Sequence, residues 1–544
     1  MAGLAATFGS GAMTNSIADL EESQCILVIG SDTTSQHPLI ARRIIRAKEK
    51  GAKLIVCDPK AIQLSTMADL YLPLTPGTNL ALLNGMAKVI IEEGLEDKDF
   101  IEKRTEGFSE LKELLDTVSL KEVEEITGVP EEQIRQAVRL YATAEKAAIV
   151  YCMGITQHTT GTENVMAIAH LSMLTGNIGR PGTGINPLRG QNNVQGACDM
   201  GALPNVLPGY QSVSDAGVRD KIAQIWGVSE LPSKPGLTVM EMIEAATQKK
   251  VKAMYIMGEN PMVSDPDLKH VEESLKQLDF LVVQDIFLTE TGRLAHVVLP
   301  SACFAEKEGT FTNTERRVQR VRKAISPPGD AREDSEIICK LAEKLGASNG
   351  FSFRNAQEVF EEIRKVTPSY AGMTYERLNT PSGLQWPCPT GEHPGTRILH
   401  REQFTRGKGK FHPAQYKKPK EEPDQEYPYT LTTGRIIFQY HTGSMTRRSP
   451  ALNDEAPEGY IEINPQDAKT VGIKEGEMVG VESRRGMIET KTKISKRIKP
   501  GVVFIPFHFA ESAANVLTNP ALDPISKIPE YKVCAVRIKK INET

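Results

Sequence analysis

Uninterrupted apolar runs alternate with amphipathic helical stretches along the first three quarters of the chain. The run that begins at Cys25 reads CILVIG, and a polar loop, a helical stretch and a second apolar run, KLIVCDP, follow it. The same order returns at 147–154, 251–261 and 280–287. Continuous apolar strands between helices are typical of parallel sheets that are covered on both faces. The pattern therefore predicts an α/β fold with doubly wound, nucleotide-binding-type domains.

The last quarter of the chain follows a different pattern. Lysine, proline and glutamate dominate residues 401–425, which favours an extended and solvated linker. Short strand-like segments separated by turns follow, and Arg485 and Gly486 mark the tip of a predicted hairpin. This spacing predicts a small carboxyl-terminal β-barrel. The predicted segments are two doubly wound domains, a linker and the barrel, at 1–191, 192–400, 401–427 and 428–544.

Composition and charge exclude several classes of partner. The 544 residues include 65 basic and 69 acidic side chains, a net charge of −4, so no broad positive field favours nucleic acid. The apolar runs are far shorter than the ~20 residues of a bilayer-spanning helix, so no membrane span is predicted. The amino terminus has no basic lead, so a cytoplasmic location is expected. The eight cysteines are spread singly, which predicts no iron–sulfur or zinc site within the chain.

Two loops that follow predicted strands form the first candidate site. Gly30 and Asp32 follow the first strand, and Asp58 and Lys60 follow the second. In open parallel sheets ligands bind beyond the carboxyl ends of the strands, where a carboxylate can bind ribose and a helix amino end can bind phosphate. The glycine fingerprint of a nicotinamide or flavin site is absent, so ordinary strand-to-helix turns remain an alternative.

Two further stretches are dense in polar residues. The first, 188–210, is rich in glycine, asparagine and glutamine and contains Arg189, whose planar guanidinium matches a small carboxylate. The second, 434–450, places Arg435 and His441 in a glycine-containing loop that suits phosphate. A surface salt bridge and a solvated basic loop are the respective alternatives. No nucleophile elbow or P-loop is present, so hydrolysis and phosphoryl transfer lack their usual motifs.

These stretches, in this order, resemble the molybdopterin oxidoreductase family from Met1 to essentially the carboxyl terminus. The most specific is LRGQNNVQGACDMGALPNVLPGY (188–210), which is similar to the formate dehydrogenases of the family. SGAMTNSI (10–17), VCDPK (56–60) and MGENP (257–261) agree with it. The resemblance implies a molybdenum or tungsten ion held by two molybdopterin guanine dinucleotides, which lie between two doubly wound domains under a double-psi type of β-barrel.

The resemblance also implies roles for individual residues. Arg189 would bind the carboxylate of formate beside the metal. The contacts expected for one dinucleotide and its pterin are Gly30, Asp32, Cys57, Asp58, Lys60, Gly77, Asn79, Met153, Gly154 and Gln157, with Gln191 as a further cofactor contact. The contacts expected for the other half are Met257, Gly258, Glu259, Gln284 and Asp285. Those expected from the barrel are Thr433, Arg435, His441, Asn515 and Lys532.

The chain departs from the family pattern at its amino terminus. The metal-ligating cysteine or selenocysteine is expected upstream of Met1, so no metal ligand is predicted within the chain. Iron–sulfur cysteines and the first part of the second dinucleotide-binding domain are expected there as well. A selenocysteine codon read as a stop would explain this departure, and extension of the reading frame upstream tests that hypothesis.

The function implied by the resemblance is that of a formate dehydrogenase catalytic subunit, truncated at its amino terminus. It would oxidise formate to carbon dioxide and pass electrons to a partner subunit that carries flavin or iron–sulfur centres. The alternatives are another molybdopterin oxidoreductase, such as a nitrate reductase, and a cofactor-binding fragment without turnover.

Overall fold

The computed structural model describes residues 1–347 and 349–541, and the chain divides into two compact units. The first unit comprises residues 1–190 and 263–270 and the chain from 398 onward. The second comprises residues 191–262 and 271–397. The fourfold division predicted from the sequence is finer than this and stays a prediction.

A five-stranded parallel sheet forms the centre of the first unit. Every residue of the strands Cys25–Ile29 and Ala147–Tyr151 is buried, which matches their uninterrupted apolar sequence. All of the strand pairs run parallel, so the carboxyl ends of the strands meet at one edge. The parallel sheet predicted from the sequence is therefore confirmed. The order of its strands is Leu70–Leu72, Lys53–Cys57, Cys25–Ile29, Ala147–Tyr151, Gly184–Pro187.

Helices cover both faces of this sheet. Two of them, Asn79–Glu92 and Gly161–Leu174, are apolar on nearly every side and are buried between other elements. The more amphipathic helices, such as Glu131–Ala142, turn their charged side to solvent. The remaining helices of this part are Ala2–Phe8, Thr33–Gln36, Pro38–Glu49, Lys98–Arg104, Phe108–Asp116, Leu120–Thr127 and Met153–Thr156.

The segment predicted as a solvated linker lies against the first unit. Phe404 and Phe411 are each 1% exposed and belong to the hydrophobic core around the parallel sheet. Gly409–Lys410 also pairs in parallel with the short strand Thr105–Glu106. The segment is extended at Gly409–Lys410 as predicted, but the prediction that it is solvated is wrong at Phe404 and Phe411. Charged residues dominate the local composition, but two aromatic rings decide where the segment packs.

A closed six-stranded barrel forms the carboxyl-terminal part of the first unit, as predicted. The strands Met478–Glu482 and Met487–Ile494 form a hairpin, with the Ser483 N–H donating to the Gly486 carbonyl at 2.9 Å. Alternate residues of Met487–Ile494 are buried and exposed, which is the pattern of a strand with one face inward. The barrel order is Tyr429–Gly434, Val502–Pro506, Tyr460–Ile463, Met487–Ile494, Met478–Glu482, Cys534–Lys540, and its helices are Pro450–Glu455 and Pro465–Val471.

The second unit contains a smaller parallel sheet of the strands Val297–Pro300, Phe280–Asp285 and Ala253–Met257. One face is buried against helices through residues such as Leu281 and Val283. The other face carries exposed large apolar side chains: Tyr255 (40% exposed), Met257 (49%), Phe280 (47%) and Val297 (38%).

The rest of the second unit consists of helices and short antiparallel strands. The helices are Val194–Asp199, Ala216–Trp226, Val239–Thr247, Asp334–Lys344 and Ala356–Val366, and Pro261–Ser264 and Leu268–Lys276 span the division between the units in sequence. The antiparallel strands are Gly309–Thr312, Arg317–Val321, Leu384–Gln385, Val206–Leu207 and Gln211–Ser212. Among the helices in residues 1–347 and 349–541, none combines the length and the apolar character needed to cross a bilayer.

Candidate functional site

A cleft with an empty volume of about 810 Å³, including its open mouth, lies in the first unit where residues that follow parallel strands meet the barrel. Many of the residues predicted from the sequence line it: Gly30, Asp32, Cys57, Asp58, Lys60, Gly77, Asn79, Met153, Gly154, Thr433, Arg435 and Lys532.

Two glycines bring neighbouring strand ends together beneath this cleft. The Gly154 N–H donates to the Gly30 carbonyl at 3.1 Å, and Gly30 has a positive φ of 58°. A Cβ atom on Gly154 would lie 2.6 Å from the Gly30 Cα, which is closer than atoms can approach. Both positions therefore require glycine, and the loops after Cys25–Ile29 and Ala147–Tyr151 can touch only because neither has a side chain.

Asp58 supplies a carboxyl group with an unusual protonation state. Burial raises its pKa to about 7, and the nearby charge of Asp32 acts in the same direction. One of its carboxyl oxygens accepts a hydrogen bond from the Lys60 N–H at 3.0 Å. Near neutral pH this group is partly protonated, so it can both donate and accept hydrogen bonds.

Two buried cations face the same cleft. Arg435 is 7% exposed and donates to the Gly190 carbonyl, and Lys532 is 8% exposed and donates to the Thr433 carbonyl at 2.6 Å. Burial lowers the pKa of Lys532 to about 8. Among the described residues, no carboxylate pairs with either cation, and the Arg435 Nε has no hydrogen-bond partner. Buried charge of this kind needs an anion, and two oxygens of a diphosphate would supply it.

Lys60 has a different role from the other predicted contacts. Its ammonium lies 2.6 Å from a carboxylate oxygen of Glu462 and 3.6 Å from the centre of the Phe504 ring. Although burial acts to raise the pKa of Glu462, the Lys60 charge holds it below the usual range. The charge of Lys60 is thus balanced within the protein. Sequence reasoning missed Glu462, whose signal is a carboxylate inside the apolar strand Tyr460–Ile463.

Arg189 lies where the chain leaves the parallel sheet, next to the wall of the cleft. One guanidinium nitrogen, Nη2, donates to the Gly11 carbonyl at 2.9 Å. The following residue, Gly190, is closely packed: a Cβ there would lie 2.9 Å from the Arg435 Nη2 and 3.2 Å from the Met153 sulfur. Both of these neighbours line the cleft. Gly11 belongs to the SGAMTNSI stretch, so two motifs that are distant in sequence meet here.

Three other predicted contacts of the first unit lie outside the cleft lining. Gln157 follows a short helix and donates through its backbone N–H to the Met153 carbonyl at 3.0 Å. The carbonyl of His441 lies 2.5 Å from the His508 Nδ1, and burial lowers the pKa of His441 to about 4. The side-chain amide of Asn515 donates to the Val263 carbonyl at 2.8 Å. Their roles as cofactor contacts stay predictions.

The predicted contacts of the second unit lie at the carboxyl ends of its parallel strands. The Gly258 N–H donates to the Gln284 carbonyl at 2.9 Å, so the two strand ends are adjacent. The Gln284 side chain accepts from Tyr255 and donates to Asp334. These residues lie close together because they follow adjacent parallel strands, and their role in binding stays a prediction. The set comprises Met257, Gly258, Glu259, Gln284 and Asp285, and Gln191 lies at the start of the same unit.

Sequence reasoning also missed cleft residues that carry little motif signal. His158 is 3% exposed, and its Nε2 lies 2.9 Å from the Gly154 carbonyl oxygen and 3.1 Å from the Asn79 side-chain amide nitrogen. Burial lowers the pKa of His158 to about 4, so its ring is neutral. Phe504 and Phe507, at the end of a barrel strand, form another part of the lining. In the part of the chain that the structure describes, no three His, Cys, Asp or Glu side chains are grouped to hold a metal ion.

Comparison with known proteins matches nearly the whole chain to one family. The family model for molybdopterin oxidoreductase matches residues 3–344, and the model for the molydopterin dinucleotide binding domain matches residues 429–535. The chain is 58% identical over 541 residues to the F420-dependent formate dehydrogenase subunit alpha of Methanocaldococcus jannaschii, covering 99% of this chain and 80% of that protein. It is 42% identical over 546 residues to formate dehydrogenase H of Escherichia coli, covering 99% of this chain and 76% of that protein.

A solved structure shares the fold. Acetylene hydratase from Pelobacter acetylenicus superposes with a TM-score of 0.79 at 22% sequence identity, covering 99% of this chain and 80% of that one. At this identity the likeness concerns the fold alone. It confirms the predicted combination of α/β domains with a carboxyl-terminal barrel.

Proposed function

Because the chain belongs to the molybdopterin oxidoreductase family, we propose that it is the catalytic subunit of a formate dehydrogenase, which oxidises formate to carbon dioxide. Relatives at 58% and 42% identity carry formate dehydrogenase names. The observation that carries the proposal is the position of Arg189, whose guanidinium is oriented by the Gly11 carbonyl beside the cleft. A planar cation at this place is suited to a small carboxylate.

The residues of the cleft fit a molybdopterin guanine dinucleotide. Arg435 and Lys532 offer positive charge without a carboxylate partner among the described residues, which suits a diphosphate. Asp32 and Asp58 offer carboxyl groups for ribose or base donors. Bound there, the group would supply the sulfur ligands of a molybdenum or tungsten centre that accepts the two electrons of formate. A second dinucleotide on Met257–Glu259, Gln284 and Asp285 is proposed from the family resemblance and from the position of these residues at strand ends.

The contribution of Arg189 is orientation. Formate is planar, and its single hydrogen points away from the two carboxylate oxygens. A guanidinium that binds both oxygens therefore fixes the direction of the carbon–hydrogen bond, which has to face the reacting centre. Oxidation then releases carbon dioxide, one proton and two electrons. A one-carbon acid offers no other handle for orientation, so loss of this fork should affect turnover and affinity together.

We extend the proposal to the electron acceptor. The relative from M. jannaschii is named as F420-dependent and as an alpha subunit, so we propose F420 as the final acceptor, reached through a partner subunit with flavin or iron–sulfur centres. The path proposed for the electrons also includes an iron–sulfur cluster and a metal centre held by a cysteine or selenocysteine. The cytoplasmic location stays part of the proposal. Formate-dependent loss of F420 absorbance with the purified complex tests the choice of acceptor.

Replacement of Arg189 tests the proposed function. In the holoenzyme, with molybdenum and tungsten content matched to the wild type, we expect R189A to lower kcat/KM for formate by about 100-fold or more. R189K should recover part of this loss, because an ammonium keeps the charge but lacks the fork. Arg219 also donates to a backbone carbonyl, at 2.8 Å from Val213, so R219A is a matched control. Wild-type kcat/KM in fully loaded R189A would refute the proposal.

A further inference from the structure

His37 occupies a fixed position between two helices of the first unit. It follows the short helix Thr33–Gln36, and its N–H donates to the Thr33 carbonyl at 2.8 Å. Pro38 begins the next helix, and the His37 carbonyl accepts from the Ile40 N–H at 2.9 Å. The backbone of His37 is therefore held on both sides, and the direction of its ring is set by the turn.

The ring of His37 reaches the backbone of Arg189. Its Nε2 lies 2.7 Å from the Arg189 carbonyl oxygen, which can only accept, so Nε2 carries the proton. Burial lowers the pKa of His37, and the charge of Arg435 acts in the same direction, so the ring is neutral at neutral pH. The imidazole thus donates to the carbonyl as a neutral group.

The peptide after Arg189 lies between two other anchors. On one side, the Leu188 N–H donates to the Tyr151 carbonyl at 2.8 Å, which ends the sheet. On the other side, Arg435 donates to the Gly190 carbonyl. The Arg189 carbonyl lies between these anchors, and His37 binds it. Loss of this bond would free the peptide plane from which the Arg189 side chain departs.

We propose that His37 is a positioning residue for Arg189, holding the peptide that aims the guanidinium at formate. The inference rests on the proposed function, because it gives Arg189 a carboxylate to bind. His37 acts through the backbone and does not itself touch the substrate. A histidine suits this position because its side chain has to reach from the turn before Pro38 to the Arg189 carbonyl, just after the strand Gly184–Pro187. The planar ring holds the N–H donor rigidly over that distance.

Three variants of the holoenzyme test this role. H37F keeps the ring size but removes the donor, H37A removes both, and H37Q keeps an N–H donor at a similar reach. We expect H37F and H37A to raise KM for formate about 10-fold, the scale of one lost hydrogen bond. H37Q should keep KM within error of the wild type. Formate binding followed by saturation-transfer NMR should weaken in the same order, which reports on binding without turnover.

A matched control separates positioning from general stability. His412 also hydrogen-bonds a backbone carbonyl of the first unit, with its Nε2 3.2 Å from the Ala6 oxygen. H412F should lower thermal stability yet leave KM for formate unchanged. If part of the enzyme misfolds, kcat per total protein falls while KM stays constant, so a raised KM in H37F is specific to positioning.

The outcomes separate this inference from the proposed function. Wild-type KM and formate binding in H37F, together with the expected loss in R189A, would overturn the role of His37 and leave the function standing. An unchanged R189A would overturn the function and, with it, the role of His37. If H37F does not fold, a raised KM in H37A with recovery in H37Q supports the inference, and equal KM in both variants overturns it.

Discussion

Within the first unit, the buried ion pair between Lys60 and Glu462 tests how the barrel is held against the part that contains the five-stranded sheet. The two side chains are 11% and 1% exposed, and their charged atoms lie 2.6 Å apart. Removal of one partner leaves the other as an uncompensated buried charge, and the Lys60 ammonium also lies 3.6 Å from the centre of the Phe504 ring. We therefore expect E462L or K60M alone to destabilise this region by about 3–5 kcal/mol.

The double variant K60M/E462L separates the pair energy from the cost of burial. With both charges gone, two apolar side chains fill the space, and such replacements are often neutral in proteins. The double variant should thus be more stable than either single variant. A surface pair provides the control: Lys491 and Glu458 also lie 2.6 Å apart, but at 45% and 51% exposure, so E458Q should cost less than about 1 kcal/mol.

Hydrogen exchange read by mass spectrometry measures the effect where it arises. A protein of several cores does not unfold in one step, so a single melting temperature would not report the pair energy. Amides of the strand Tyr460–Ile463, which contains Glu462, should lose protection by roughly 150-fold or more in E462L and recover in the double variant. If the double variant were as unstable as the two single losses added together, the reasoning would be wrong.

Two further predictions concern buried carboxyl groups. Because burial raises the folded-state pKa of Asp58 to about 7, the neutral carboxyl group favours folding at low pH, and this contribution is lost as the pH rises through that value. D58N should remove a stability difference on the order of 2–4 kcal/mol between about pH 5 and about pH 8, measured at each pH by hydrogen exchange of the strand Lys53–Cys57 with correction for the intrinsic exchange rate. The Asp199 carboxylate accepts from Gln195, Tyr210, Tyr370 and Trp386 at 2.6–2.8 Å, so D199A should destabilise the second unit by about 3 kcal/mol or more, and unchanged proteolysis of residues 191–262 would contradict this.

The sequence pattern was sufficient for the fold class and for one half of the candidate site. Continuous apolar runs predict parallel strands, and parallel strands bring their carboxyl ends to one edge, so Gly30, Asp58 and Met153 could be placed together without a structure. The barrel followed from short alternating segments, of which Met487–Ile494 shows the clearest inward and outward alternation.

Contacts between distant segments could not be predicted in this way. His37 and Arg189 are 152 positions apart, and nothing in either local sequence links a ring nitrogen to that carbonyl. Glu462 looks like an ordinary charged residue in a strand until Lys60 is seen opposite it. The lysine-rich composition also gave a wrong prediction at Phe404, which is buried. Burial of one aromatic ring is enough to fix where a segment packs, even when most of its neighbours are solvated lysines.

The uncovered face of the small sheet in the second unit bears on how the protein behaves in the test tube. This face is an exposed hydrophobic patch formed by Tyr255, Met257, Phe280 and Val297. Parallel sheets normally have helices on both faces. We expect the purified protein to self-associate through this patch. Its light scattering should rise with concentration, and apolar dyes should bind the patch and fluoresce. A polypeptide segment or subunit that covers the patch would lower the dye fluorescence and slow aggregation.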